Sequence, residues 1–240
     1  MLQLLPDAVI SLIYPEECGV CDREVRPASD GVACPDCWDE THIFDGSETL
    51  CIKCGAFLFA QPPTGERMRC QRCEDQHFDH AFSIGMYEHA LKASVLSLKK
   101  SPRVANRLAR EIELTLTRIP LKDYVVIPIP LSPRRLRERG FNQAAVIAQM
   151  IVRSSGHDFD EHTLVRSSHT PMHRAGMDKK AREKTVKGAF EVRRPKLIEG
   201  RSVLLVDDVL TSGSTASACA RVLKESGACE VNVLTLARAA

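Results

Sequence analysis

Residues 203–215, VLLVDDVLTSGST, decide how this chain is read. Val203 to Val206 form an unbroken apolar run, the pattern of a strand covered on both faces in a parallel sheet. The run ends in two adjacent acids, Asp207 and Asp208, followed by a loop of small hydroxyl residues around Gly213. A helix over 214–226 follows, with Ala216, Cys219, Ala220 and Leu223 on its inner face and Gly227 stopping it. At such a strand-to-helix turn the backbone N–H groups of Thr211, Ser212, Gly213, Ser214 and Thr215 can converge on a phosphate at the positive end of the helix. Small residues suit this, because a larger side chain would block close backbone approach. The two carboxylates stand where they can accept hydrogen bonds from neighbouring sugar hydroxyls. The plainer reading is an acid pair closing a strand and hydroxyls capping a helix. It leaves the combined order, spacing and residue types unexplained.

Outward from this stretch the same alternation recurs. Strand-like runs cover 81–87, 124–129 (YVVIPI), 201–207 and 230–236, and helical periodicity covers 89–98, 104–119 and 142–153. In the last of these helices Ala144, Ile147, Ala148 and Ile151 follow the i, i+3, i+4, i+7 spacing. Strands alternating with helices predict an α/β domain with a mostly parallel sheet. Cys219 and Cys229 are expected in its core rather than as nucleophiles.

The 240 residues carry 33 Lys+Arg and 31 Asp+Glu, and 44% are hydrophobic, which excludes a disordered chain or a small disulfide scaffold. No apolar run approaches the ~20 residues of a membrane span. The net charge of +2 hides a polarity: residues 1–80 hold 6 basic and 15 acidic side chains, and residues 81–240 hold 27 and 16. The asymmetry divides the chain into an acidic 1–80 and a basic 81–240, the second suited to phosphate-rich partners. The alternative is a surplus spread evenly over a solvated surface.

Eight of the ten cysteines lie in the acidic part, all as CxxC pairs: Cys18/Cys21, Cys34/Cys37, Cys51/Cys54 and Cys70/Cys73. The start of the chain has no basic residue before Arg23 and no small-residue cleavage site, so it does not read as a signal peptide. A reducing cytoplasm follows, where such pairs are metal ligands. The gaps of 12 and 15 residues between paired knuckles suit zinc ribbons, and consecutive pairing gives two four-cysteine sites. Spacing alone also permits interleaved pairing. Four thiolates leave no position for water, so both zinc sites are structural. Gly19 and Gly55 suit knuckle turns, and Leu2, Leu5, Val9, Leu12 and Ile13 suggest a packing helix ahead of the first pair.

The 203–215 stretch resembles the phosphoribosyl pyrophosphate (PRPP) motif of type I phosphoribosyltransferases. IPIPLSPRRLRERGFNQA at 127–144 and VKGAF at 186–190 resemble segments of the ComF (competence protein F) family, which also carries a cysteine-rich double zinc ribbon ahead of that domain. The resemblance implies that Asp207 and Asp208 bind the ribose hydroxyls of PRPP, that residues 211–215 bind its 5′-phosphate, and that Mg²⁺ accompanies it. It places the loop 131–135 at the pyrophosphate, where Arg134 and Arg135 neutralise charge. Arg137 and Arg139 are read as further phosphate contacts, Phe141 as core and Asn142 as a helix cap. Residues 167–187 stand where such enzymes have a mobile loop; Lys179, Lys180, Arg182, Lys184 and Lys187 are its cations, and His169 and His173 are read as solvated. Ser132, Met172-His173-Arg174, Thr185 and the LKKSP of 98–102 depart from the family pattern. The sugar-phosphate motif is untouched by these departures, whereas the catalytic loops are altered.

Two functions are compatible with this. In one, a PRPP-binding protein handles incoming single-stranded DNA in the cytoplasm during natural transformation, with the zinc ribbon docking DNA-uptake or helicase proteins. In the other, an active Mg²⁺-dependent enzyme transfers phosphoribose to a nitrogen acceptor. Aromatic residues make up only 5% of the chain, which weakens a base-stacking platform for the first.

Overall fold

A computed structural model describes residues 16–25, 30–58, 68–119, 123–166 and 188–239. The expected helix with Leu2 to Ile13 and the basic stretch 167–187, including His169, His173 and its lysines, lie outside the described residues.

In chain order the described elements are β1 (Glu16–Glu17), β2 (Glu24–Val25), α1 (Pro35–Asp39), β3 (His80–Met86), α2 (His89–Leu98), α3 (Asn106–Leu116), β4 (Tyr124–Pro128), α4 (Pro133–Arg139), α5 (Gln143–Ser155), β5 (Asp158–Phe159), β6 (Leu164–Arg166), β7 (Phe190–Val192), β8 (Ser202–Leu210), α6 (Ser214–Glu225) and β9 (Glu230–Arg238). Five strands form a parallel sheet in the order β3-β9-β8-β4-β5, and β6 and β7 pair antiparallel beside it. The expected parallel α/β architecture is therefore present.

Period-two alternation sends the two halves of the apolar run on β8 to opposite faces. Leu204 and Val206 pack with α2, α3 and α5 through Leu91, Val95, Ile112 and Ile147. Val203 and Leu205 pack with α6 through Cys219, Ala220 and Leu223. Cys219 is fully buried as expected, whereas Cys229 is exposed. It lies between α6 and β9, within 3.5 Å of the Ser202 hydroxyl, rather than in the core.

The cysteine-rich segment is built onto the edge of this sheet. Backbone bonds run from Phe44 N–H to Ile84 O (2.8 Å), from Met86 N–H to His42 O (2.9 Å) and from Ala81 N–H to Lys53 O (2.7 Å), so β3 has no bare edge at these positions. Gly85 permits the approach: a Cβ there would lie 2.2 Å from His42 O. The two knuckle pairs enter different faces. Cys18, Cys34, Cys37 and Trp38 belong to the core that holds Leu91, and Cys51, Cys54 and Cys73 belong to the core that holds Phe78 and Cys219.

Two local departures matter for the site. Strand β8 runs on to Leu210, three residues past the expected end, because Val209 and Leu210 still pair with Ala237 and Arg238 of β9. The supposed loop 131–135 is helical from Pro133 onward, the start of α4.

Candidate functional site

The place of the acid pair follows from strand lengths. On one side β8 pairs with β9 throughout, including Asp207 with Thr235. On the other side β4 ends at Pro128, opposite Val206. From Asp207 onward β8 lacks that neighbour, and a crevice opens at the C-terminal ends of the strands, where open α/β sheets hold ligands. Asp208 N–H donates to Asp207 Oδ1 at 2.9 Å. Burial, together with the adjacent charge of Asp208, pushes the Asp207 carboxyl up to about 7.

The following loop turns on Gly213, whose φ of 75° is left-handed and favours glycine. It is also the N-cap of the 12-residue α6 and has no side chain to cap it; Ser214 N–H donates to Ser212 Oγ at 3.4 Å, and the helix begins here with the positive end of its dipole. Ser212 Oγ and Ser214 Oγ lie 2.9 Å apart, while Thr211, Ser212 and Thr215 are exposed. Arg238 Nη1 donates to Thr211 O at 3.0 Å and ties the loop to β9. Asp207, Asp208 and residues 211–215 are thus brought to one edge of the sheet, an arrangement of acceptors for hydroxyls beside donors for an anion.

Positive charge is arranged nearby. Helix α4 begins at Pro133 behind the Ser132 cap and ends at Gly140, with no buried residue. Arg134 Nε binds Glu138 Oε1 at 2.7 Å on the open surface. Arg135 donates its backbone N–H to Ser132 Oγ at 3.4 Å. Asn142 caps α5 as expected, accepting from Ala144 N–H at 3.2 Å, and its Nδ2 donates to Ile129 O at 3.0 Å. Phe141 is only half-buried, not a core residue.

Three further residues were not singled out as site residues in the sequence. Lys99, just past α2, places Nζ 3.7 Å from Asp208 Oδ2. Arg166, at the end of β6, lays its guanidinium 5.4 Å from the centre of the Phe190 ring, and its buried Nε has no partner among the described residues. Burial holds its pKa below the usual arginine range, and the like charge of Arg135 adds to this. Gln76 reaches the 211–215 loop from the cysteine-rich segment, with Nε2 3.4 Å from Ser212 O. The LKKSP stretch was the only hint of any of these, through Lys99.

The cysteines form two clusters, Cys18/Cys21/Cys34/Cys37 and Cys51/Cys54/Cys70/Cys73, with the ligand sulfurs of each within 4.8 Å of one another. Consecutive pairing is therefore the arrangement present. Measured Sγ–Sγ separations of 3.4 to 3.6 Å approach the ~3.8 Å edge of a tetrahedron with ~2.3 Å zinc–sulfur bonds. Backbone N–H groups of Cys34 and Cys70 each donate to a sulfur, of Cys18 and Cys51 respectively, at 3.3 Å. Arg23 Nε, 3.4 Å from Cys21 Sγ, draws that thiol down to about 6, while burial pushes Cys37 and Cys73 up. Four sulfurs with charge-stabilising donors fit zinc. The left-handed knuckle residue is Gly55 (φ 65°) in one cluster and Asp22 (φ 60°) in the other, each directly after the second cysteine; Gly19 does not take that role.

A crevice of this kind on a parallel sheet, edged by two tetracysteine centres, defines a phosphoribosyltransferase-type domain joined to a double zinc ribbon. Residues 94–240 match the phosphoribosyl transferase domain family, and residues 9–74 match the double zinc ribbon domain. DNA utilization protein YhgH of Escherichia coli O157:H7 is 30% identical over 231 residues, covering 92% of this chain and 89% of its own. Competence protein F of Haemophilus influenzae is 29% identical over 235 residues, 92% of this chain and 96% of the relative. Competence protein ComFC of Bacillus subtilis is 31% identical over 160 residues, 65% and 63%. The chain belongs to the ComF family of zinc-ribbon phosphoribosyltransferase-domain proteins.

Proposed function

We propose that this protein binds PRPP and serves in the uptake and use of external DNA, handling the single strand in the cytoplasm. The observation that carries the PRPP reading is the opening of β8 beyond Pro128, which sets Asp207 and Asp208 beside the glycine-capped N-terminus of α6. The acids face the ribose hydroxyls, residues 211–215 take the 5′-phosphate through backbone donors, and Arg134 and Arg135 lie toward the diphosphate. Mg²⁺ entering with PRPP supplies further positive charge against that diphosphate. Relatives named for competence and DNA utilization support the role in DNA uptake. Residues 1–80 form the ribbon unit, which docks uptake or helicase proteins, and residues 81–240 form the nucleotide unit. Among the described residues no helix is long and apolar enough to cross a membrane.

The second reading, phosphoribosyl transfer, is favoured by one observation: Lys99 Nζ stands 3.7 Å from Asp208 Oδ2, a cation beside the acids of the kind that stabilisation of a departing pyrophosphate would require. Titrating PRPP and Mg²⁺ into the protein by calorimetry tests the site, with measurable binding expected. Assaying pyrophosphate with nucleobases or single-stranded DNA present then separates the readings. Binding without release, with altered DNA affinity, supports a ligand role; stoichiometric release supports transfer. Absence of PRPP binding refutes both.

A further inference from the structure

The segment leaving the second cysteine cluster runs directly beneath the phosphate loop. Cys73 O accepts from Gln76 N–H at 3.1 Å. The Gln76 side chain donates through Nε2 to Ser212 O at 3.4 Å, and its Oε1 is buried without a partner. Only a donor can serve at a carbonyl, so this contact fixes the sense of the carboxamide. A Cβ on Gly213 would lie 3.2 Å from Gln76 Oε1 and 3.4 Å from the Phe78 ring, so knuckle and loop are in contact across a glycine. One residue on, His77 N–H donates to Ser217 Oγ of α6 at 3.0 Å. Backwards, Lys53, between Cys51 and Cys54, donates through Nζ to Gln76 O at 2.7 Å. One path of hydrogen bonds thus joins both knuckles of the second cluster to residues 212–217.

We propose that Gln76 is a positioning residue for the 5′-phosphate loop, and that metal held by Cys51, Cys54, Cys70 and Cys73 is thereby coupled to phosphate binding. This rests on the PRPP reading above. A trans peptide is planar, with its C=O and N–H opposed. Holding Ser212 O toward Gln76 therefore turns Gly213 N–H to the opposite side of the loop, away from the ribbon and toward the space in front of α6. The loop is prepared for an anion before one arrives. The first cluster makes no such bond among the described residues, so coupling belongs to the second alone. Coupling between binding sites is reciprocal: phosphate bound at the loop must strengthen retention of metal at the second cluster.

The test uses the full zinc-loaded protein with ribose 5-phosphate as the probe. Gln76→Glu keeps size and shape but sets an acceptor against the Ser212 carbonyl. It is expected to weaken ribose 5-phosphate about tenfold, the size of one lost hydrogen bond plus repulsion, with zinc content unchanged and the melting temperature lowered by only a few degrees. In the unsubstituted protein, saturating ribose 5-phosphate should slow the release of one zinc to a chromogenic chelator. Release from the first cluster, followed by Trp38 emission, should not change. If the unsubstituted protein does not bind ribose 5-phosphate, the PRPP reading fails and the proposal with it. If it binds, and the probe protects neither zinc or Gln76→Glu keeps its affinity, the coupling alone is overturned. The release experiment needs no variant, so misfolding of Gln76→Glu cannot shelter the proposal.

Discussion

Among the described carboxylates, Asp207 is the one whose chemistry the fold alters most. Its carboxyl is pushed up to about 7 from 3.8, first by burial and then by Asp208. Between those two values the folded chain holds a proton that the unfolded chain has lost. The free protein must therefore lose stability as pH rises from about 4 to about 7. Asp207→Asn removes this penalty. Its ligand-free melting temperature should exceed that of the unsubstituted protein at pH 8, and the two should converge as pH falls to about 4. Ligand binding should show the opposite trend. PRPP needs acceptors for its hydroxyls, so its affinity should rise from pH 6 to pH 8, and Asp207→Asn should flatten that rise. The variant should also lose roughly 1.5–3 kcal/mol of binding, the usual worth of a charge-assisted hydrogen bond. Calorimetry at several pH values, beside thermal melts, checks all three outcomes, and a more stable fold with unchanged PRPP affinity would remove Asp207 from the site.

Helix α4 shows how an element can exist with almost nothing in its favour except its ends. None of its residues is buried; Pro133 and Ser132 start it and Gly140, at φ 78°, stops it. PRRLRER has no apolar spacing, which is why a turn is the natural reading of it. The helix presents Arg134, Arg135, Arg137 and Arg139 with one acid, Glu138, and the exposed Arg134–Glu138 pair is worth little in water. These arginines are free to meet phosphates. Single-stranded DNA should bind with an affinity that falls steeply with salt, and replacing all four with Gln should flatten the log–log slope by up to about 3, at about 0.7 per phosphate contact. Melting temperature should hardly change, since no core is touched. Anisotropy of a labelled oligonucleotide across a salt series measures the slope; an unaltered slope would confine α4 to the PRPP site. Large exposed apolar side chains among the described residues are Leu96, Leu114, Leu136 and Leu197, none aromatic, consistent with backbone contact rather than base stacking.

In the molecule as a whole, ribbon and sheet share their cores. A ribbon folding alone would leave PRPP binding intact after metal removal, and the charge asymmetry of the sequence suggests that independence. The packing argues otherwise. Trp38 lies in one core with Leu91 and Ile112, under Arg107 at 5.5 Å, and Cys51 and Cys73 lie in the other with Ile127 and Ala220. A four-cysteine zinc centre supplies on the order of 10 kcal/mol of apparent binding free energy. Stripping both should destabilise the sheet edge along with the knuckles. Elemental analysis of reduced protein should find two zinc ions per chain. Chelation should shift Trp38 emission and lower the melting temperature of the entire chain in one transition. A metal-free protein that keeps a separate, unshifted α/β transition would show the ribbon to be an independent module.

The strand, acid pair, small-residue loop and helix of 202–225 were legible because every determinant is local: periodicity names the buried face, and glycine marks the turn. The CxxC pairs were legible for the same reason, since two residues between thiols suffice to announce a knuckle. Which knuckles share a metal was not, because distance along the chain permits more than one closure. Nor were Lys99 and Gln76 evident as site neighbours; they come to the acids and the loop from about 110 and 135 residues away, and no local pattern encodes that meeting. The crevice itself depends on a comparison between strands. It opens because β4 stops at Pro128 while β8 continues to Leu210 beside β9. Local chemistry fixed what the 211–215 loop is made of, and only long-range packing set Gln76, beside the second cysteine cluster, against Ser212.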